Sequence, residues 1–163
     1  MKKATIAGLT TVAFTAPGIS DPAQGEKTKK KTAQAATDRI RTGFIGVGNR
    51  GQGHLQTCMG LSNVEVVAIC DVSERSLSAA KNIISGSNFP ELKVYTGNDF
   101  AYLEMLEKED LDAVIISTPW EWHTRMAVAS MKSGAYTGVE VPAATTIDEC
   151  WDLVNTHEET GIN

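Results

Sequence analysis

Short apolar runs alternate with stretches of helical periodicity along the chain from residue 39 onward. The apolar runs are rich in β-branched residues and end at glycine, proline or polar residues. This pattern is typical of strands that are buried on both faces of a parallel sheet. The runs predict five strands, at 40–45, 64–70, 92–95, 113–117 and 136–140.

The segments between the strands predict helices. A glycine-rich turn at 46–53 follows the first strand and leads into a helix over 52–59. Ser73 is a preferred residue type for the N-cap of the second helix. The apolar positions of that helix lie on one face and are Leu77, Ala80 and Ile84.

The third and fourth helices are predicted from their end signals. Asp99 predicts the cap of the third helix, which carries Phe100, Leu103 and Leu106. The fourth helix runs to Lys132 and is stopped by a glycine two residues later, where a C-terminal cap glycine belongs.

A fifth helix begins at a capping box, T-I-D-E, over 146–149, and ends at Gly161. Apolar residues follow the cap at helical spacing, namely Ile147, Cys150, Trp151 and Val154. Residues 162–163 begin a sixth strand. Five successive strand–helix units predict an α/β fold, a doubly wound parallel sheet, over residues 38–163.

Residues 1–35 do not share this periodicity. A basic start precedes a weakly apolar run at 4–16 and a polar, lysine-rich stretch at 17–35. A basic start followed by about 7–15 apolar residues is the layout of an export signal. The other interpretation is a disordered N-terminal extension. We expect a periplasmic or otherwise exported protein, with a cytoplasmic location as the alternative because the apolar run is weak.

Composition and charge narrow the possible partners. The 163 residues are 42% hydrophobic and 21% charged, which is ordinary globular usage. Residues 1–35 contain six lysines and two acidic side chains, so the remaining 128 residues carry a net charge of −9. A body this acidic does not favour nucleic acid or an anionic membrane as a partner. It also lacks the run of roughly 18 uncharged apolar residues that a membrane-spanning helix needs.

Cysteine and histidine spacing does not favour a metal site. Cys58, Cys70 and Cys150 are odd in number and widely spaced, so we expect buried or half-buried free thiols. The three histidines form no H-x-x-x-H or H-E-x-x-H pair, and we therefore predict no metal ligands.

The turn after the first strand reads G-V-G-N-R-G over 46–51 and matches G-x-G-x-x-G between a predicted strand and a predicted helix. Gly46 permits a tight turn, Gly48 lets the backbone approach a pyrophosphate, and Gly51 allows close packing of the helix. The start of the helix favours phosphate, and Arg50 could add a direct charge contact. The alternative is a turn that serves packing alone.

Asp71 stands 20 residues after Gly51, at the end of the second strand. A carboxylate at this place accepts hydrogen bonds from the ribose of an adenine dinucleotide. Its charge repels a 2′-phosphate, so NAD should be favoured over NADP. The alternative role for Asp71 is a cap for the second helix, and the two roles are compatible.

The sequence T-P-W-E-W-H over 118–123 follows the fourth strand. Ligands of open α/β sheets bind at the carboxyl ends of the strands. Two tryptophans and a histidine in a loop can stack on rings and hydrogen-bond to hydroxyls. Trp122 could equally serve packing and His123 could simply start a helix, whereas Trp120, directly after proline, is the stronger ligand candidate.

These motifs together resemble the Gfo/Idh/MocA family of NAD(P)-dependent proteins, with an E-x-P motif over 140–142 as the fourth shared feature. In the dehydrogenases of that family the last motif reads E-K-P, and its lysine serves the sugar hydroxyl in hydride transfer. This chain has Val141 there, which can neither donate nor accept a proton. It therefore departs from the dehydrogenase pattern at that position.

The combination of G-V-G-N-R-G, T-P-W-E-W-H and V-E-V-P-A-A-T-T-I-D-E-C-W is similar to glycoside hydrolase family 109, over about 40–163. The resemblance implies α-N-acetylgalactosaminidase activity with NAD that is not consumed. Hydride leaves the sugar C3, elimination across C1–C2 follows, water adds and the hydride returns. It also implies NAD contacts by Asn49 and Arg50 at the pyrophosphate and Asp71 at the ribose. The nicotinamide side would be lined by Trp120, Glu121, Trp122, His123, Glu140 and Val141.

The same resemblance implies a second, mostly antiparallel domain that is absent from this chain and carries the substrate-binding and proton-transfer residues. We therefore name no catalytic residue, and we expect a glycan containing N-acetylgalactosamine to bind through that domain. We expect the 163-residue chain alone to be inactive, and its open sheet edge to allow a homo-oligomer. The alternatives are a sugar dehydrogenase, which Val141 argues against, and a nucleotide-binding module without catalysis, which T-P-W-E-W-H argues against.

Overall fold

The computed structural model describes residues 39–86 and 92–163. The segment at 1–35, predicted to be an export signal or an extension, lies outside the described residues. Strands and helices alternate in the described part. Their bounds are β1 Ile40–Ile45, α1 Asn49–Met59, β2 Val64–Cys70, α2 Glu74–Ile84, β3 Lys93–Tyr95, α3 Ala101–Lys108, β4 Ala113–Ile116, α4 Trp120–Lys132, β5 Tyr136–Val139 and α5 Ile147–Thr160.

The strands form one parallel sheet in the order β3-β2-β1-β4-β5. The chain moves outward from β1 to β3, returns to β4 beside β1, and then moves outward in the other direction. The predicted doubly wound parallel sheet is confirmed. In such sheets the ligand binds outside the carboxyl ends of the strands where the order reverses, here between β1 and β4.

A separate apolar core lies on each face of the sheet. On one face, α1 and α2 cover a cluster that includes Phe44, Leu55, Val66, Ile69 and Leu77. On the other face, α3 and α4 cover a cluster that includes Tyr102, Met105, Val114, Ile116 and Met126. Every residue of β2 is buried, including Glu65, which explains its nearly continuous apolar sequence.

Helix α1 begins three residues earlier than predicted. Gly48 is its N-cap, so Asn49, Arg50 and Gly51 already belong to its first turn. Glycine has a low helix propensity, and the glycine-rich sequence therefore favoured a longer turn than the fold contains. The consequence is that the helix N-terminus lies inside the motif.

The prediction for α3 was wrong at its cap and for two of its three apolar residues, whereas Leu106 is buried. Phe100, not Asp99, is the N-cap, and the Asn98 side chain accepts a hydrogen bond from the Phe100 amide at 2.8 Å. Phe100 and Leu103 are exposed. The buried side of the helix consists of Ala101, Tyr102, Met105 and Leu106.

Helix α5 has the predicted ends but not a buried apolar face. The capping box of Thr146 and Glu149 is present, and Gly161 ends the helix in the left-handed conformation at a φ of +70°. The apolar residues Ile147, Trp151 and Val154 are 76%, 60% and 45% exposed. These side chains therefore lie outside both cores.

The sixth strand predicted to begin at 162–163 is not formed in the structure, where residues 161–163 follow α5 without regular secondary structure. They contact β5 through one hydrogen bond. The amide of Thr137 donates to the carbonyl of Asn163 at 2.7 Å. In the part of the chain that the structure describes, no helix is long and apolar enough to cross a membrane.

The three cysteines are free thiols, as expected, but they differ in exposure. Cys58 is half-buried and Cys70 is buried, whereas Cys150 is exposed, contrary to expectation. Burial, together with the neighbouring charge of Asp71, raises the pKa of the Cys70 thiol to about 12. Cys70 is therefore a protonated core residue at neutral pH.

Candidate functional site

The glycine turn between β1 and α1 is shaped by close backbone approaches. Gly46 has a φ of +83°, and a Cβ there would lie 2.7 Å from the carbonyl oxygen of Ser117. A Cβ at Gly51 would lie 2.1 Å from the carbonyl oxygen of Gly46. By contrast, a Cβ at Gly48 would meet no heavy atom of the described residues within 4 Å. The first and third glycines thus serve packing, and the second leaves open space over the turn.

The start of α1 faces that open space without a side-chain cap. Its N-cap, Gly48, has no side chain that could accept the amide hydrogens of the first turn. These amide groups and the helix dipole form a site that favours an anion. Asn49 and Arg50, the predicted pyrophosphate contacts, are the first two residues of the helix and are exposed.

Asp71 ties the glycine turn to the start of α2. One carboxylate oxygen accepts from the Val47 amide and the other from the Ser73 amide, both at 2.8 Å. Ser73, rather than Asp71, is the N-cap of α2. A carboxylate offers about four acceptor positions, so each oxygen of Asp71 can still accept a ligand hydroxyl.

Two cavities open at this edge of the sheet and share Ser117 and Thr118, the residues after β4. The larger has a volume of about 450 Å³ and is lined by the glycine turn, Asp71 and Trp122. The smaller has a volume of about 250 Å³, and its lining includes Trp120 and Glu140. The two cavities thus adjoin at the loop after β4, and we refer to them together as the groove.

The W-E-W-H part of the motif, residues 120–123, forms the first turn of α4 and not a loop as predicted, with Pro119 as the N-cap. Trp120 is 62% exposed and lines the smaller cavity. Trp122 is half-buried. Its ring packs edge-on against that of Phe100, with 5.8 Å between the ring centroids, and Arg125 Cζ lies over the Trp122 ring, 4.8 Å from its centroid. Trp122 therefore combines packing with a place in the larger cavity. Glu121, between them, is exposed and lines neither cavity.

His123 connects two loops. It is 1% exposed, and its Nδ1 and Nε2 lie 2.8 Å from the carbonyl oxygens of Pro142 and Thr118, respectively. These contacts join the loop after β5 to the loop after β4, where both loops line the smaller cavity. Both ring nitrogens are thus occupied by the protein, and a cofactor contact by His123 stays a prediction.

Glu140 is held by two side chains of α1. Its Oε1 lies 2.9 Å from Arg50 Nε and 2.5 Å from His54 Nε2. The hydrogen bond with His54, followed by the charge of Arg50, lowers the pKa of Glu140 below its ordinary value. Sequence reasoning missed His54. Its spacing of four residues from Arg50, which places both on one helix face, was the available signal.

Val141 is 78% exposed and lines the smaller cavity, so the E-x-P motif presents an apolar side chain there. Within residues 39–86 and 92–163, no group of three or more histidine, cysteine or acidic side chains could hold a metal ion.

The groove has the features that a dinucleotide requires. Gly48 leaves room at the helix N-terminus for a pyrophosphate, and Asp71 has free acceptor capacity for a ribose. Ser117 lines both cavities, and its hydroxyl oxygen is buried and has no hydrogen-bond partner among the residues that the structure describes. The residues present therefore fit NAD.

Comparison with known proteins assigns the family. The model of the Gfo/Idh/MocA oxidoreductase family, described as having an NAD-binding Rossmann fold, matches residues 40–162. The chain belongs to this family. The predicted cofactor, NAD, is thereby confirmed for this Gfo/Idh/MocA domain.

Curated relatives carry glycosidase names. The chain is 43% identical to an alpha-N-acetylgalactosaminidase of Tannerella forsythia, over 99% of this chain and 36% of the relative. It is 50% identical to a glycosyl hydrolase family 109 protein of Shewanella baltica, over 77% of this chain and 28% of the relative. The chain thus spans about a third of the length of these relatives.

Solved structures of similar fold are dehydrogenases. The myo-inositol 2-dehydrogenase of Lactobacillus plantarum has a TM-score of 0.64 at 24% identity, over 75% of this chain and 34% of that chain. The WlbA dehydrogenase of Bordetella pertussis, in complex with NADH and UDP-GlcNAcA, has a TM-score of 0.63 at 24% identity. The match covers 76% of this chain and 35% of that chain. At this identity the likeness supports the fold alone.

Proposed function

We propose that this chain is the NAD-binding portion of a glycosidase that removes terminal α-N-acetylgalactosamine from glycans. The observation that carries the proposal is the 43% identity, over 99% of the chain, to the Tannerella forsythia protein of that name. The chain spans 36% of that relative. We propose that the groups that contact the sugar belong to the remaining part of such a protein.

The residues of the groove have distinct roles in this proposal. Bound NAD would take a hydride from the sugar and return it, so the cofactor is not consumed. The start of α1 binds the pyrophosphate and Asp71 binds the adenosine ribose. Trp120 and Glu140 flank the nicotinamide side. Val141 has no proton to exchange with a sugar hydroxyl, which favours a glycosidase over a dehydrogenase.

The test uses a fusion of this chain to the part of the Tannerella forsythia relative that follows the aligned region. With a nitrophenyl α-N-acetylgalactosaminide and NAD, we expect the fusion to release nitrophenol without accumulating NADH. We expect no release by the 163-residue chain alone, because it spans 36% of that relative and we assign the groups that contact the sugar to the remaining part. Release by that chain alone, lost in Trp120→Ala, would show that the catalytic groups lie within these residues.

A sugar dehydrogenase is the second candidate, favoured by the oxidoreductase family to which the chain belongs. The two functions differ in the fate of the hydride. Steady production of NADH from free sugars by the fusion would support the dehydrogenase and contradict the glycosidase.

We also propose that residues 1–35 direct export and that the protein is periplasmic. The basic start and the apolar run at 4–16 support this proposal. Cell fractionation followed by mass spectrometry tests it, with a shortened chain expected in the periplasm. A protein found in the cytosol alone, with residues 1–35 still attached, would contradict it.

A further inference from the structure

The Glu140 carboxylate has two unequal oxygens. Oε1 accepts from two side chains of α1, Arg50 and His54, at 2.9 Å and 2.5 Å. Oε2 accepts from the amide of the adjacent Val141 at 3.3 Å, which is a weak contact. The carboxylate is therefore anchored through one oxygen, and the other retains most of its capacity to accept a ligand hydrogen.

The two anchoring side chains differ in their relation to the cavity. Arg50 lines the smaller cavity together with Glu140, whereas His54 is outside its lining. His54 lies one helical turn further from the start of α1, about 6 Å along the helix axis. It therefore contacts Glu140 without lining the cavity.

Arg50 also has a competing anion site. It is the second residue of α1, where a pyrophosphate would bind, and its side chain is 71% exposed. When a pyrophosphate occupies the helix start, the guanidinium has two anions within reach and is shared between them. His54, at 39% exposure and with a short side chain, has Glu140 as its hydrogen-bond partner.

We propose that His54 is a positioning residue for the nicotinamide end of NAD. Through Nε2 it fixes the Glu140 carboxylate so that Oε2 accepts a hydrogen bond from a hydroxyl of the nicotinamide ribose. The proposal rests on the placement of Glu140 at the nicotinamide side and is independent of the glycosidase activity.

The experiment compares the binding of NADH with that of ADP, which has the adenosine and pyrophosphate but no nicotinamide ribose. For His54→Leu in the 163-residue chain, we expect the dissociation constant of NADH to rise about fivefold. We expect that of ADP to change less than about twofold, because the Asp71 end is intact. The fluorescence of bound NADH should also decrease as its nicotinamide end becomes less ordered.

Two further variants serve as matched controls. His54→Gln retains a side-chain donor and should keep the NADH affinity within about twofold of the wild type. Gln56→Leu places the same new side chain at an exposed position of the same helix and should leave the affinities for both NADH and ADP unchanged.

Three outcomes would overturn the proposal. Equal losses of NADH and ADP affinity in His54→Leu would mean that His54 supports the glycine turn. An unchanged NADH affinity would mean that Arg50 alone holds Glu140. An unchanged NADH affinity in Glu140→Gln would mean that Glu140 does not contact the nicotinamide ribose. Failure of the glycosidase assay would leave all these binding measurements unaffected.

Discussion

Two carboxylates at the same edge of the sheet are held in different ways. Asp71 follows β2 and accepts hydrogen bonds from the backbone amides of Val47 and Ser73. Glu140 follows β5 and contacts the side chains of Arg50 and His54. The positions of backbone amides in a tight turn and at a helix start are fixed by the fold, whereas part-exposed side chains can change rotamer. The Asp71 end is thus built into the fold, and the Glu140 end depends on the surface of α1.

The largest expected effect comes from Gly51→Ala, because this substitution disturbs both the Asp71 end and the Glu140 end of the groove. The new Cβ would lie 2.1 Å from the carbonyl oxygen of Gly46, so α1 must move away from the turn. We expect a loss of about 3 kcal/mol in the free energy of unfolding, measured by urea denaturation.

The matched control for that variant is Gly53→Ala on the same helix. The new Cβ there would meet no heavy atom within 4 Å in the part of the chain that the structure describes. Replacing an unstrained helical glycine by alanine stabilises by about 0.5–1 kcal/mol. Equal effects of the two substitutions would contradict the close approach of α1 to the turn.

Asp71→Ala should weaken NAD binding at the adenosine end of the groove. Removing one or two charge-assisted hydrogen bonds to the ribose would cost about 1.5–3 kcal/mol each, so NAD affinity should fall at least tenfold. Discrimination against NADP should narrow, because the charge that repels a 2′-phosphate is gone. Calorimetry measures both affinities. A wild-type protein that binds NAD and NADP equally would refute the assignment of Asp71.

Substitutions of Trp120 and Trp122 should have smaller effects and should separate cofactor binding from packing. Trp122→Ala removes the edge contact with Phe100 and the Arg125 contact, which together stabilise by about 1–2 kcal/mol. Trp120→Ala should change stability by less than about 0.5 kcal/mol, because this side chain is 62% exposed. Its effect should be on NADH affinity rather than ADP affinity. Equal stability losses would contradict the different packing of the two rings.

The smallest expected effect is a pH dependence at the Glu140 end. The pKa of Glu140 is lowered in the folded protein, chiefly by His54 and Arg50, so its ionised form stabilises the fold. That stabilisation is complete above its ordinary pKa of about 4.5 and is lost as the pH falls through the lowered value. The difference in unfolding free energy between the wild type and Glu140→Gln should therefore shrink in this acidic range. A difference that is constant from pH 7 to about pH 3 would exclude the effect.

Local patterns predicted the elements whose own residues decide them. Three such elements match the structure: the nearly continuous apolar run of β2, the Ser73 cap of α2 and the capping box of α5. The prediction failed for α3, where Asp99 and Asn98 are both plausible cap residues. The Asn98 side chain binds the Phe100 amide, and the helix turns another face to the sheet. Apolar spacing alone did not distinguish the two faces.

The sequence by itself determined the parallel sheet, the glycine turn and Asp71, because each depends on residues close along the chain or on periodicity. Only the tertiary structure decided the partners at the other end of the groove. His54 and Glu140 are 86 residues apart and meet because α1 packs beside the β1–β4 junction. The loops joined by His123 likewise meet because β4 and β5 are neighbours in the sheet. A hydrogen bond between distant side chains depends on the packing of whole elements, which no local pattern encodes.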